Sequence, residues 1–111
     1  MRRTVTVLGA IALSVLVVSG QYSQSGVYDV RAFGAKGDGK TVDTTAINKA
    51  IDAAAAAGGG TVRFSAGSYL SFSIHLKSNI TLYLDQGATI VAADPTADHG
   101  TYDPPSDRRQ R

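Results

Sequence analysis

The sequence predicts a mainly β chain of short strands behind a single α-helix. Three observations carry this. Ala46, Ile47, Ala50, Ile51 and Ala54 recur at spacings of three and four, the period of one helix face. Beyond Gly58-Gly59-Gly60 come four short β-type runs, Thr61–Phe64, Ser73–Leu76, Ile80–Leu84 and Ala88–Val91, with no helical pattern between them. Ser65-Ala66-Gly67, Lys77-Ser78-Asn79 and Asp85-Gln86-Gly87 separate the runs, and residues of these types turn a chain readily. Such a pattern fits a sandwich, a barrel or a solenoid. The helix-first order favours the solenoid, because stacked coils leave an open end that an amphipathic helix can cover.

Taken in order, Met1-Arg2-Arg3 and the apolar run Val5–Val18 read as a secretory signal, with Val18-Ser19-Gly20 as the cleavage region. The run is shorter than the roughly 20 residues a membrane span needs, so stable membrane insertion is not expected. Residues 21–26 form a linker. Val27–Val30 alternates weakly and opens the domain as a short strand. Gly34, Gly37 and Gly39 then make a tight, solvated turn. Asp43 or Thr44 caps the helix, which runs to Ala57, and Gly58 suits the left-handed position that ends it. Val62 and Phe64 should share one face, with Ile74 and Leu76 as stacking partners. Asp94-Pro95 marks the exit from the last strand. Residues 27–98 thus hold the cap and first coils, and 99–111 form an irregular polar tail.

The composition narrows the function classes. The chain has 111 residues with 43% hydrophobic and 18% charged residues, room for one ordinary core. Its formal charge is +2, yet Arg2, Arg3, Arg108, Arg109 and Arg111 lie at the two ends. No basic stripe interleaved with aromatics runs through the middle, so nucleic acid is not an expected partner. Cysteine is absent, which removes disulfides, thiolate metal sites and cysteine nucleophiles together.

Gly34-Ala35-Lys36-Gly37-Asp38-Gly39-Lys40-Thr41 matches the phosphate-loop pattern G-x-x-x-x-G-K-[ST]. That motif needs a buried strand before it and a helix starting at its lysine. Here the preceding run carries Asp29 and Arg31, and the helix cap lies beyond Thr41. No nucleotide is expected. His75 beside Ile74 and Leu76 reads as a packed or hydrogen-bonded residue. His99 with Asp98 and Asp103 lacks a recognised metal-ligand spacing. Asp85 reads as a turn former. No carboxylate pair shows the arrangement a glycosidase needs. No catalytic, cofactor-binding or metal-binding residue is assigned, and no cofactor is expected.

Val27-Tyr28-Asp29-Val30-Arg31-Ala32-Phe33-Gly34-Ala35-Lys36-Gly37-Asp38-Gly39, the helix opening Asp43-Thr44-Thr45-Ala46-Ile47, Gly58-Gly59-Gly60-Thr61-Val62 and Gly67-Ser68-Tyr69-Leu70 resemble the N-terminal region of pectin-lyase-like proteins. Within them the sequence is most similar to glycoside hydrolase family 28, the polygalacturonases. Ile74–Ala88, with its Lys77-Ser78-Asn79 turn, looks like that family's first coils. The resemblance covers about Val27 to Pro105 and implies a right-handed parallel β-helix with an N-terminal capping α-helix.

For function, it implies a secreted hydrolase acting on galacturonan or a related pectic polysaccharide. In that family, aspartates act as acid and base within Asn-Thr-Asp, Asp-Asp, Gly-His-Gly and Arg-Ile-Lys motifs. None of the four occurs here, and Asp98-His99-Gly100 is not Gly-His-Gly. The expectation is therefore the N-terminal part of a polygalacturonase-like enzyme, inactive by itself. The alternatives are a polysaccharide lyase or other depolymerase on the same fold, or a noncatalytic carbohydrate-binding module.

Overall fold

The structure, a computed structural model, describes residues 26–105. The signal, nearly all of the linker and the arginine-rich end of the tail lie outside the described residues. Six strands and two helices follow in the order β1 Val27–Asp29, β2 Asp38–Val42, α1 Thr44–Ala56, β3 Gly60–Phe64, β4 Gly67–Ser71, β5 Ile80–Leu84, β6 Ala88–Ala92 and α2 Pro95–Asp98. A 3-10 turn, Val30–Phe33, sits between β1 and β2.

Odd and even strands separate into two three-stranded sheets, ordered β1-β3-β5 and β2-β4-β6, and every pairing is parallel. Each coil therefore gives one strand to each sheet, and three coils stack as a parallel β-helix. The register is regular in the first sheet, where Asp29 meets Arg63 and Arg63 meets Tyr83. It shifts only between Asp38 and Val42.

Strand alternation puts Val62 and Phe64 on the inner face, both fully buried. Tyr69 of β4 joins them, its ring edge-on to Phe64 with centroids 5.2 Å apart. Ala46, Ile47, Ala50, Ile51 and Ala54, the stripe anticipated for the helix, are the buried residues of α1. They pack the helix against the 3-10 turn and the strands of the first sheet. The alanines allow close approach. Most of the burial gain falls on Ile47 and Ile51, at about 1.5–3 kcal/mol each. Past the cap residue Ala57, Gly58 turns left-handed at φ 97°; its N–H donates to Ala55 and the Gly59 N–H to Ala54. That pair of bonds satisfies carbonyls the last turn would otherwise strand.

Several expectations are corrected. Ser73–Leu76 is not a strand; β4 lies earlier, at Gly67–Ser71. Its apolar alternation is real, but the Asn48 side chain donates to the Ser73 carbonyl at 3.0 Å and accepts the His75 N–H at 2.7 Å. The helix thus uses backbone groups that a strand ladder would need. Ile74 does pack against the core that holds Val62 and Phe64, but Leu76 is exposed, and the strand partners of Val62 and Phe64 in the next coil are Leu82 and Leu84. The glycine-rich turn also ends sooner than expected: Asp38–Val42 pairs with β4 although Asp-Gly-Lys-Thr-Val carries no apolar alternation. Only the neighbouring strand reveals it.

The second apolar cluster, Leu70, Phe72 and Ala93, was not anticipated. Tyr102 from the tail lies edge-on to Phe72 at 5.0 Å and its hydroxyl donates to the Ala93 carbonyl at 2.8 Å. Residues 101–105 form no helix or strand, and Tyr102 is the residue that ties them to this cluster.

Candidate functional site

The glycine-rich segment carries the most phosphate-like chemistry in the sequence. Most of its amide hydrogens are already taken. Asp43, buried at the start of α1, accepts the N–H of Lys36 at 2.9 Å and of Gly37 at 3.0 Å. Asp38 accepts the N–H of Lys40 at 2.9 Å and of Thr41 at 2.8 Å, and the Thr41 hydroxyl at 3.0 Å. These bonds, led by the Thr41 and Lys40 amides, hold the Asp38 carboxyl at about 2, below its ordinary 3.8. Two fixed carboxylates occupy the donors that would cradle a phosphate. Lys40 lies in β2, not at the start of a helix.

His75 lies outside any strand with its Nε2 2.6 Å from Asp103 Oδ2, both side chains more than half exposed. His99 sits in a left-handed conformation at the end of α2, while Asp98 turns back to accept the Asp94 N–H at 2.7 Å. Asp98 and Asp103 thus have different partners, and His99 is the left-handed residue that ends α2. Among the described residues no group of three His, Asp or Glu side chains is placed to hold a metal ion.

Sequence reasoning missed the ladder on the outer face of the first sheet. Arg63 Nη1 reaches Asp29 at 3.2 Å, and its Nε and Nη2 both bind Asp85. One guanidinium therefore fastens three successive coils. The Asp85 hydrogen bond, more than charge alone, raises the Arg63 pKa. Asp85 also turns the chain as expected, its carbonyl accepting the Ala88 N–H at 2.9 Å. The available signal was period-two placement: Asp29, Arg63 and Tyr83 all fall on outward positions, but their alignment needs the register.

The remaining aspartates are equally engaged. Asp52 binds Lys77 at 2.9 Å, and Asp94 accepts the Thr96 N–H at 2.8 Å. Every aspartate among the described residues has a hydrogen-bond or ion-pair partner. No cavity is formed by the described residues.

Residues 27–104 match the pectate lyase-like family of rhamnogalacturonase A and epimerases. The chain belongs to that family. The match spans β1 to the Tyr102 contact, the whole of the capped stack. Within it, the sequence is 44% identical over 73 residues to exo-poly-alpha-D-galacturonosidase of Dickeya chrysanthemi, covering 66% of this chain and 12% of that protein. It is 67% identical over 42 residues to alginate lyase 7 of Azotobacter vinelandii, covering 38% of this chain and 5% of that protein. Among solved structures, the family 28 exopolygalacturonase of Yersinia enterocolitica superposes with a TM-score of 0.55 at 41% identity, over 61% of this chain and 12% of that one. The likeness to glycoside hydrolase family 28 therefore extends from motifs to backbone. The chain spans about an eighth of the galacturonosidase's length. None of the family 28 catalytic motifs falls within its 111 residues.

Proposed function

We propose that this chain is the capping end of a secreted β-helix protein that hydrolyses galacturonan. The single observation behind the reading is the 44% identity over 73 residues to a galacturonosidase, on a backbone like that of the family 28 exopolygalacturonase. The chain's part is structural: α1 closes the apolar interior, and the Arg63 ladder fixes the pitch on which later coils would stack. A glycosidase needs a carboxylic acid at the leaving oxygen and a carboxylate for water. None of the family 28 catalytic motifs lies within the 111 residues, so on this reading both groups would come from elsewhere in the protein.

A second reading, lyase or epimerase action on a polyuronate, draws on the 67% identity to alginate lyase 7. The two readings differ in product. The purified 111-residue chain should release no reducing ends from polygalacturonate. A product of the same gene read beyond Arg111 should release them without ultraviolet-absorbing unsaturated ends. Unsaturated ends would support a lyase. Altered C5 configuration without cleavage would support an epimerase. Turnover by the 111-residue chain alone would overturn the assignment of a scaffold role.

A further inference from the structure

The segment after β6 returns to the coil before it. Asp94 accepts the Thr96 N–H at 2.8 Å and starts the short α2; His99, at φ 54°, then turns the chain back. Gly100 lies flush against Phe72, where a Cβ would come within 2.5 Å of the ring. Beyond it Tyr102 packs edge-on to Phe72, and the Asp103 N–H donates to the Ser73 hydroxyl at 2.9 Å. The loop that receives this strap is fixed from behind. One helical turn apart on α1, Thr44 accepts the Phe72 N–H at 2.8 Å, and the Asn48 side chain holds the Ser73 carbonyl and the His75 N–H. The strap itself has no such frame: residues 101–103 are exposed and form no helix or strand. A segment with few apolar contacts opens locally while the rest of the chain stays folded.

We propose that residues 99–103 form a strap whose closure over Phe72 is strengthened by protonation of His75. His75 Nε2 lies 2.6 Å from Asp103 Oδ2, a contact that joins the receiving loop to the strap. Histidine is the side chain that ordinarily changes charge between about pH 5 and 8. A neutral ring offers the carboxylate a hydrogen bond; a protonated one adds the attraction of opposite charges. The closed strap therefore favours the charged ring, so closure tightens as pH falls and weakens as pH rises. The other charged groups on the elements around His75 have partners or positions of their own. On α1 and its cap, Asp43 accepts the Lys36 and Gly37 amides, Lys49 is exposed, and Asp52 binds Lys77 of the receiving loop at 2.9 Å. On the chain leading to the strap, Asp94 and Asp98 accept the Thr96 and Asp94 amides. His99 is the second imidazole, and among the described residues Asp103 is the one carboxylate paired with His75. Opening uncovers Phe72, which forms the second apolar cluster with Leu70 and Ala93.

Hydrogen exchange in the full chain tests this through the Asp103 amide, whose bond to Ser73 is lost on opening. Both members of the ion pair are more than half exposed, so the effect is that of a surface pair. The protection factor of the Asp103 amide, corrected for the intrinsic pH dependence of exchange, should be about two- to fivefold higher at about pH 5.5 than at about pH 7.5. His75→Gln keeps a donor for Asp103 without a titrating charge and should abolish the difference. Asp103→Asn should abolish it from the strap side, and His99→Gln should preserve it. The amides of Val62 and Phe64 in the central strand β3 report on the whole fold and should stay equally protected at both pH values in every variant. A wild-type difference that is absent or of opposite sign would overturn the proposal. A difference that survives in His75→Gln or vanishes in His99→Gln would overturn it too, as would β3 protection that rises and falls with that of Asp103.

Discussion

The Asp43 carboxylate accepts the Gly37 amide hydrogen at 3.0 Å, across the turn that carries the phosphate-loop pattern. With Lys36 as its second donor, the same carboxylate fills the place that an anion would take. Removing it should not create a nucleotide site, because Lys40 and Thr41 remain tied to Asp38. Asp43→Ala should leave two amides without partners and cost about 2 kcal/mol, read as a lower urea midpoint. Asp43→Asn, keeping one acceptor oxygen, should cost less. Magnesium ATP should shift the melting temperature of neither variant; a shift in Asp43→Ala would show that the loop retains a phosphate cradle.

Arg63 links β1 to the end of β5 through Asp29 and Asp85. Its side chain is 41% exposed, so solvent screens both pairs. Arg63→Met keeps most of the aliphatic stem and removes the charge. The expected loss is small, that of a surface pair rather than a buried one, read as a slightly lower urea midpoint. Raising the salt concentration should narrow the gap between wild type and variant, since mobile ions weaken the pairs only where they exist. A salt-independent difference would point to packing of the stem instead.

The parts legible in the sequence were those whose cause is local. The helix announced itself through the period of Ile47 and Ile51, and its end through Gly58. Val62 and Phe64 were placed on one face by alternation alone. What escaped depends on partners distant in the chain. β2 exists because Gly67–Ser71 offers it a ladder, and Ser73–Leu76 fails as a strand because Asn48 takes its backbone groups. Tyr102 looked like part of a polar tail until Phe72 came beside it. The Arg63 ladder is invisible without the register that aligns Asp29, Arg63 and Tyr83. For the candidate site, the sequence correctly indicated that the phosphate-loop pattern lacked its strand and helix. It could not show that Asp38 and Asp43 already occupy the amides.

Asp38 should govern part of the acid limb of stability. Its folded pKa of about 2 lies below the ordinary 3.8. A depressed folded pKa means the folded state binds fewer protons, so this stability is present above the ordinary value and is lost as pH falls toward 2. Asp38→Asn removes the titration. Urea midpoints measured across that interval should fall with decreasing pH more steeply in wild type than in the variant. Equal slopes would show that the Lys40 and Thr41 amides do not favour the charged form in solution.

Gly67 is one of several glycines whose surroundings leave no room for a side chain. At φ 151°, a Cβ would lie 2.7 Å from Arg31 Nη2 and 2.8 Å from the Gly37 carbonyl oxygen. Arg31 has little freedom to withdraw. Its Nη1 donates to the Lys36 carbonyl and its Nη2 to the Ala66 carbonyl, each at 2.8 Å, while the guanidinium lies 5.4 Å from the Tyr69 ring centre. At Gly37 a Cβ would also press on Arg31 Nη2, at 2.6 Å, but its other near neighbours are side-chain atoms. Gly67→Ala should therefore cost more than Gly37→Ala, about 3 kcal/mol against about 1–2. Combining Gly37→Ala with Arg31→Met should recover part of the loss, because the shortened side chain removes the obstructing nitrogen. The same change beside Gly67→Ala should recover less, since the Gly37 carbonyl still blocks the new methyl group. Equal recovery in the two pairs would show that the arginine alone, rather than the β2 to β4 approach, requires glycine at position 67.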